Sequence, residues 1–243
     1  MVIDVAGSEK NPTIVLIHGS WLGGWSWRDV SKQLTVQGYH VLAPTLTGLG
    51  ERKHLLTGNI NLSVHIEDIV NLVLFKNITN VVLVGHSYGA VVAAGAADRL
   101  FGRVDCELVI VDGFITKSGE SIMDRYPDVH LLMQRFLSSD PTLVEPPPVE
   151  SFGLTDTQIA GAISRFLTKM PLATHTEQIH YSMERQAQIS RSYIYCTEFP
   201  LFHQTASLAA EQGWRCFNIS AGHMAPITHP KQISDLIIAT MSS

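Results

Sequence analysis

The pentapeptide Gly85-His86-Ser87-Tyr88-Gly89 sets a serine between two glycines, directly after the apolar run NVVLV at 80–84 and directly before the small-residue stretch AVVAAGAADRL. A serine hydroxyl attacks a carbonyl only if a base takes its proton and donors receive the charge that develops on the attacked oxygen. G-x-S-x-G between a strand and a helix meets the geometric part of that demand. The serine occupies a sharp, strained turn, and glycine two residues to either side removes the side chains that would collide with the neighbouring strand and helix. Ser87 is therefore the candidate nucleophile. The start of the following helix favours an oxyanion, with the Tyr88 N–H as the first donor. A serine can fall into a glycine-rich turn by chance, but the strand before it and the helix after it argue for catalysis.

A second loop, His18-Gly19-Ser20-Trp21-Leu22-Gly23-Gly24-Trp25, stands at the end of the apolar run TIVLIH. Its place suits the second oxyanion donor, the Ser20 N–H, while Gly19 and Trp21 would face substrate beside His86. The plainer alternative is a tight turn with Trp21, Trp25 and Trp27 as packing residues. A base is offered by Ile219-Ser220-Ala221-Gly222-His223-Met224-Ala225-Pro226, which follows a strand pattern and precedes the last helix. His223 thus falls on a loop at a strand's C-terminal end, the edge where open α/β sheets build their sites. Eleven histidines dilute the signal of any one; His180, His203 and His229 read as surface or cap residues.

The elements needed to hold these groups are legible as an alternation of strand and helix. Runs at 13–18, 39–43, 80–84, 107–111, 193–196 and 215–219 are β-rich and apolar without alternation, the pattern of parallel strands covered on both faces. Helical periodicity appears at 27–37, 62–75, 89–101, 201–212 and 230–242. Between about 113 and 191 the alternation stops. Two or three amphipathic patterns and the run Glu145-Pro146-Pro147-Pro148 suggest a helical cap with a stiff connector, inserted into one domain spanning 1–243. The apolar cap residues Phe136, Leu137, Phe152, Phe166 and Met170 would cover the substrate or serve as plain core.

A net charge of -5 at pH 7 provides no basic footprint for nucleic acid or an anionic membrane surface. No run approaches the roughly 20 apolar residues that span a bilayer, and the acidic start MVIDVAGSEK lacks a signal-peptide core, so the expected location is cytoplasmic. Cys106, Cys196 and Cys216 show no metal-ligand spacing and read as small buried hydrophobes. No metal or organic cofactor is expected, and the chain would be a monomer or a homodimer.

The segments IVLIHGSWLGGWSW, VLAPTLTGLGERKHL, VVLVGHSYGA and AGHMAPITHP resemble the α/β-hydrolase superfamily, in particular bacterial esterases and pyrethroid hydrolases allied to plant methyl salicylate esterases and hydroxynitrile lyases. The resemblance covers nearly the whole chain except much of the cap. It implies the α/β-hydrolase fold: a mostly parallel, doubly wound sheet with helices on both faces and a small cap inserted after the strand that follows the nucleophile helix. The order serine, acid, histidine then singles out His223. The lyases carry threonine and lysine where this chain has Gly19 and Met224, and the esterases carry glycine and methionine, which favours ester hydrolysis and places Met224 at the substrate.

One member departs from the resemblance. The plant relatives carry the triad aspartate after the threonine-glutamate of a strand end, where this chain reads Cys196-Thr197-Glu198-Phe199. Asp112, ending the run ELVIV before Gly113-Phe114, is the preferred replacement, and Phe114 would line the substrate. Glu198 is the alternative, although adjacent residues at a strand end tend to point to opposite faces. Asp before Gly is also an ordinary turn signal. The expected activity is hydrolysis of a small-molecule carboxylic ester through an acyl-enzyme. A lyase or cyclase on the same fold and a non-catalytic small-molecule receptor are the alternatives.

Overall fold

The computed structural model describes residues 11–241. The acidic start of the chain, read above as lacking a signal core, lies outside the described residues, as does Ser242 at the end of the last expected helix. Six parallel strands form the central sheet: β1 (Thr13–Ile17), β2 (Val41–Leu42), β3 (Asn80–His86), β4 (Asp105–Val111), β7 (Ser190–Cys196) and β8 (Arg215–Ile219), in the order β2-β1-β3-β4-β7-β8. Between β4 and β7 the chain forms the two-residue strands β5 (Leu143–Val144) and β6 (Met170–Pro171), which pair antiparallel.

The sheet's lack of alternation has a direct cause. Ile14, Leu16, Val82 and Val84 pack into one core with Trp27, Val30, Leu34, Ile233 and Ile237, so α1 (Arg28–Val36) and α11 (Pro230–Met241) cover that face. The intervening Val15, Ile17, Val81 and Leu83 join Ile66, Ile69, Val91 and Val92 on the other side, beneath α2 (Leu62–Phe75) and α3 (Gly89–Leu100). These central strand positions are apolar because each side has a helix to meet. The edge strands differ from that reading. β2 is only two residues long and half-buried, and β8 alternates half-buried with exposed positions, because each has a neighbour on one side only. The same edge exposes Cys216. Of the three cysteines expected to be buried, only Cys196 is; Cys106 is half-buried.

The expected helix at 62–75 coincides with α2, and that at 89–101 overruns α3 by one residue. Those at 27–37 and 201–212 each enter through a 3₁₀ turn, Gly24–Trp27 before α1 and Pro200–Phe202 before α9 (His203–Glu211). The segment between β4 and β7 carries α4 (Ile122–Arg125), α5 (Pro127–Arg135), α6 (Thr157–Ser164), α7 (Ala173–Thr176) and α8 (Met183–Gln188). The proline run links β5 to the 3₁₀ turn Val149–Phe152. The β5–β6 ribbon had no signal, since two residues per strand are too few for a period. Finally α10 (Ala225–Thr228) follows the His223 loop. Among the described residues no helix is long and apolar enough to cross a membrane, and no group of His, Cys, Asp and Glu could hold a metal ion.

Candidate active site

Ser87 directly follows β3 in the left-handed region at φ 54°, a conformation that costs a non-glycine residue on the order of 1–3 kcal/mol and must be held by its surroundings. The hold is visible. The Ser87 N–H donates to the Val111 carbonyl at 3.2 Å, and the Ser87 carbonyl accepts from Ala90 N–H at 3.1 Å. The flanking glycines are required by contact: a Cβ at Gly85 would strike the Gly89 carbonyl, and one at Gly89 the Ile17 carbonyl. Among the described residues four non-glycine positions have positive φ: Trp21, Asn77, Ser87 and Asp112. Three of these line or flank the site.

Asp112 sits at the C-terminal end of β4 with φ 44°, completely buried. Its Oδ2 lies 2.6 Å from His223 Nδ1, and its Oδ1 accepts the Cys196 N–H at 3.1 Å. Glu198 is exposed and accepts the Ser220 hydroxyl at 2.7 Å, away from the imidazole. The neighbouring Phe199 turns the other way and stacks on His223 with ring centroids 4.7 Å apart, and Phe202 stacks at 5.4 Å. The position that carries an acid in the plant relatives therefore holds a wall of the site.

Burial lowers the His223 pKa to about 3, so the ring is uncharged at neutral pH and available as a base. Burial also pushes Asp112 up, and the hydrogen bond from Cys196 pulls it partly back. His86 is buried, and its Nε2 pairs with the His223 carbonyl at 2.9 Å; a carbonyl only accepts, so this nitrogen donates and steadies the His223 loop.

The Gly19–Trp21 loop is fixed from below and from above. Beneath it, His18 accepts the Leu46 N–H at Nε2 (3.1 Å) and donates from Nδ1 to the Gly19 carbonyl (2.9 Å). Above it, Ser20 Oγ lies 3.1 Å from His175 Nε2, and His175 Nδ1 lies 2.8 Å from Thr174 Oγ1. The Thr174 hydroxyl donates to the Pro171 carbonyl, so His175 Nδ1 must donate to Thr174, and Nε2 accepts the Ser20 proton. Burial lowers the His175 pKa to about 3, which keeps that acceptor free of a proton. Neither the Ser20 nor the Tyr88 amide N–H makes a hydrogen bond among the described residues. The Tyr88 ring is fully buried, its hydroxyl 2.8 Å from His65 Nδ1 and its ring stacked on His175 at 4.9 Å.

Two cavities meet at Ser87, and Ser20, Trp21, Phe152 and His223 line both. The small one, about 20 Å³, is completed by Gly19, Leu22, His86 and Met224. The large one, about 230 Å³, extends under α5 and includes Phe114, Leu132, Met133, His175 and Phe199. Gly19, Trp21, His86, Phe114 and Met224, the residues expected at substrate, thus all reach one or both.

The cap residues divide between the two readings: Phe152 lines both cavities, Met170 is core, and Phe136 and Leu137 pack against the main core, while Phe166 fits neither, being 55% exposed against Trp25. His180 and His203 are exposed and His229 is half-buried. His175 went unnoticed in the sequence because a histidine amid PLATHTEQ has no motif; only its contact with Ser20, 155 positions away, marks it.

The sequence profile described as the alpha/beta hydrolase family matches residues 14–236. The chain is 29% identical over 238 residues to the carbendazim hydrolyzing esterase of Nocardioides sp. (strain SG-4G), covering 93% of this chain and 98% of that protein. It is 34% identical over 112 residues to Methylesterase 8 of Arabidopsis thaliana, 45% of this chain and 41% of the relative. Among solved structures, an extracellular alpha/beta-hydrolase from a Paenibacillus species, reported to share structural and functional homology with tobacco Salicylic Acid Binding Protein 2, superposes with a TM-score of 0.83. The identity is 24%, and the match covers 95% of this chain and 99% of that one. With elbow, histidine loop and sheet order in agreement with a match over most of its length, the chain belongs to the alpha/beta hydrolase family.

Proposed function

We propose that the chain is a carboxylic ester hydrolase working through an acyl-enzyme on Ser87. His223 Nε2 takes the Ser87 proton as Oγ bonds to the ester carbonyl carbon. The carbonyl oxygen becomes an oxyanion received by the N–H groups of Ser20 and Tyr88. Collapse of the intermediate breaks the C–O bond to the alcohol, which leaves with the proton from His223. Water, deprotonated by the same imidazole, then releases the acid. Asp112 keeps the Nδ1 proton in place and stabilises the imidazolium. The observation that carries the reading is the buried 2.6 Å contact between His223 Nδ1 and Asp112 Oδ2, beside a strained serine that shares two cavities with the same imidazole.

The unequal cavities support a substrate with one small and one bulky apolar part. About 20 Å³ accommodates little more than one water or methyl-sized group. About 230 Å³ with aromatic walls suits an aryl or branched alkyl group. The esterases and methylesterases among the relatives are in keeping with this, and the buried acid–imidazole pair favours hydrolysis over a receptor, which needs no base. The test is a panel of methyl, butyl and benzyl esters of small and aryl-alkyl acids, assayed by acid release. Activity should be highest where one side of the ester is methyl and should vanish in Ser87→Ala. Equal rates across the panel would remove the size reading, and an active Ser87→Ala would remove the nucleophile.

A further inference from the structure

On the side of Phe114 away from Ser87 lies a separate cavity of about 340 Å³, larger than either lobe at the nucleophile. Its walls are apolar, formed by Val91, Leu108, Ile110, Phe114, Leu208 and Trp214. Lys117, Arg125 and Arg191 also line it, and no carboxylate residue does, although the protein as a whole carries a net charge of -5. The cations are not equivalent. Arg125 is paired with Glu120 at 3.4 Å, and Lys117 is exposed. Arg191, on β7, is half-buried with its guanidinium 4.9 Å above the Trp214 ring, and among the described residues it has neither a carboxylate partner nor a hydrogen-bond acceptor. The indole Nε1 of Trp214 is likewise buried without an acceptor.

A guanidinium carries five N–H donors in a fixed fork, and partly removing it from water without acceptors is unfavourable unless something supplies them. The shape that does so is a carboxylate, bound through two parallel hydrogen bonds. With one unpaired, half-buried cation, the site suits a monoanion. With predominantly apolar walls, it suits an anion with a hydrocarbon body.

We propose that this cavity is a second binding site, distinct from the one at Ser87, for an amphipathic monocarboxylate whose acid group pairs with Arg191 and whose apolar body lies among Phe114, Leu208 and Trp214. Phe114 separates the two cavities, lining both. Nothing in the proposal depends on the reaction assigned to Ser87.

Octanoate and its neutral isostere octanamide provide the test, titrated calorimetrically into the full chain and followed by tryptophan fluorescence. Octanoate should bind one per chain, at least tenfold more tightly than octanamide, and should change the emission of the wild type but not of Trp214→Phe. Arg191→Met should abolish the preference for the acid while ester turnover stays within twofold of wild type. Equal affinity for acid and amide would overturn the proposal without recourse to any variant, which covers a failure of Arg191→Met to fold. So would an emission change that persists in Trp214→Phe, because the ligand would then lie elsewhere, as would an unaltered preference in Arg191→Met. Loss of ester turnover with intact octanoate binding would bear only on the reaction.

Discussion

Lowering the pH from 7.5 to 5 should destabilise the fold steeply, because the site region is held by imidazoles buried in their neutral form. Burial lowers His18 to about 4 and His175 and His223 to about 3, and it shifts His65 and His86 in the same direction. An unfolded histidine titrates near 6.5, so between 6.5 and these values the unfolded chain binds more protons and stability falls as the pH falls. At pH 5 each such ring costs about 2 kcal/mol, so His18, His175 and His223 together cost about 6 kcal/mol. Asp112 acts with the opposite sign: its folded pKa is raised by burial, so the folded state holds the proton more tightly, and it offsets at most about 3 kcal/mol between pH 7.5 and 5. The remainder, about 3 kcal/mol before His65 and His86 contribute, is a large share of a typical 5–15 kcal/mol. It corresponds to a drop in Tm of roughly 6–12 °C for a chain of this size. Thermal unfolding followed by circular dichroism at pH 7.5 and 5 measures it. A Tm that stays within 2 °C would refute the burial of these rings in neutral form.

The site makes sharper predictions about single residues. Asp112→Asn should lower kcat by about 10⁴, through loss of the imidazole's orientation and charge partner, while Glu198→Gln stays within about twofold; stopped-flow ester hydrolysis at matched stability separates them. Gly19→Val brings a Cβ to 3.0 Å from Ser87 Cβ and 3.2 Å from His86 Nδ1, so kcat should fall by about 10² with the far-ultraviolet dichroism unchanged. His175→Phe keeps a flat aromatic ring, slightly larger than imidazole, but removes the acceptor of the Ser20 hydroxyl. Its cost should be about 1–3 kcal/mol in urea unfolding, with a reduced kcat and a shallower fall in stability between pH 6.5 and 5.

The elements that hold the site were legible because each announces itself locally. The apolar runs of β1, β3, β4 and β7 face helices on both sides, and the glycines around Ser87 form a short recognisable pattern, although only Gly85 answers to a nearby carbonyl, that of Gly89, while Gly89 answers to that of Ile17 on β1. The edge strands were less legible, since an apolar run cannot say whether both its faces are covered. Residue pairs joined across long stretches of chain left less trace. Asp112 could be considered only because an acid was missing at Phe199, and its approach to His223 depends on a left-handed backbone turn that Asp-Gly suggests but does not require. The Ser20–His175 contact had no local signature because it arises from the β4–β7 excursion folding back on the sheet, and the unpaired Arg191 above Trp214 had none because it joins β7 to the residue before β8, 23 positions on.

The central proposition is that the Ser87 hydroxyl becomes acylated during turnover, and rapid mixing of enzyme with excess p-nitrophenyl acetate, quenched in acid and read by peptide mass spectrometry, addresses it directly. A burst of nitrophenol stoichiometric with enzyme, with acetyl found on the peptide containing Ser87, is the predicted result. Steady hydrolysis with Ser87 unmodified at every quench time, under conditions where deacylation is rate-limiting for other serine esterases, would contradict it.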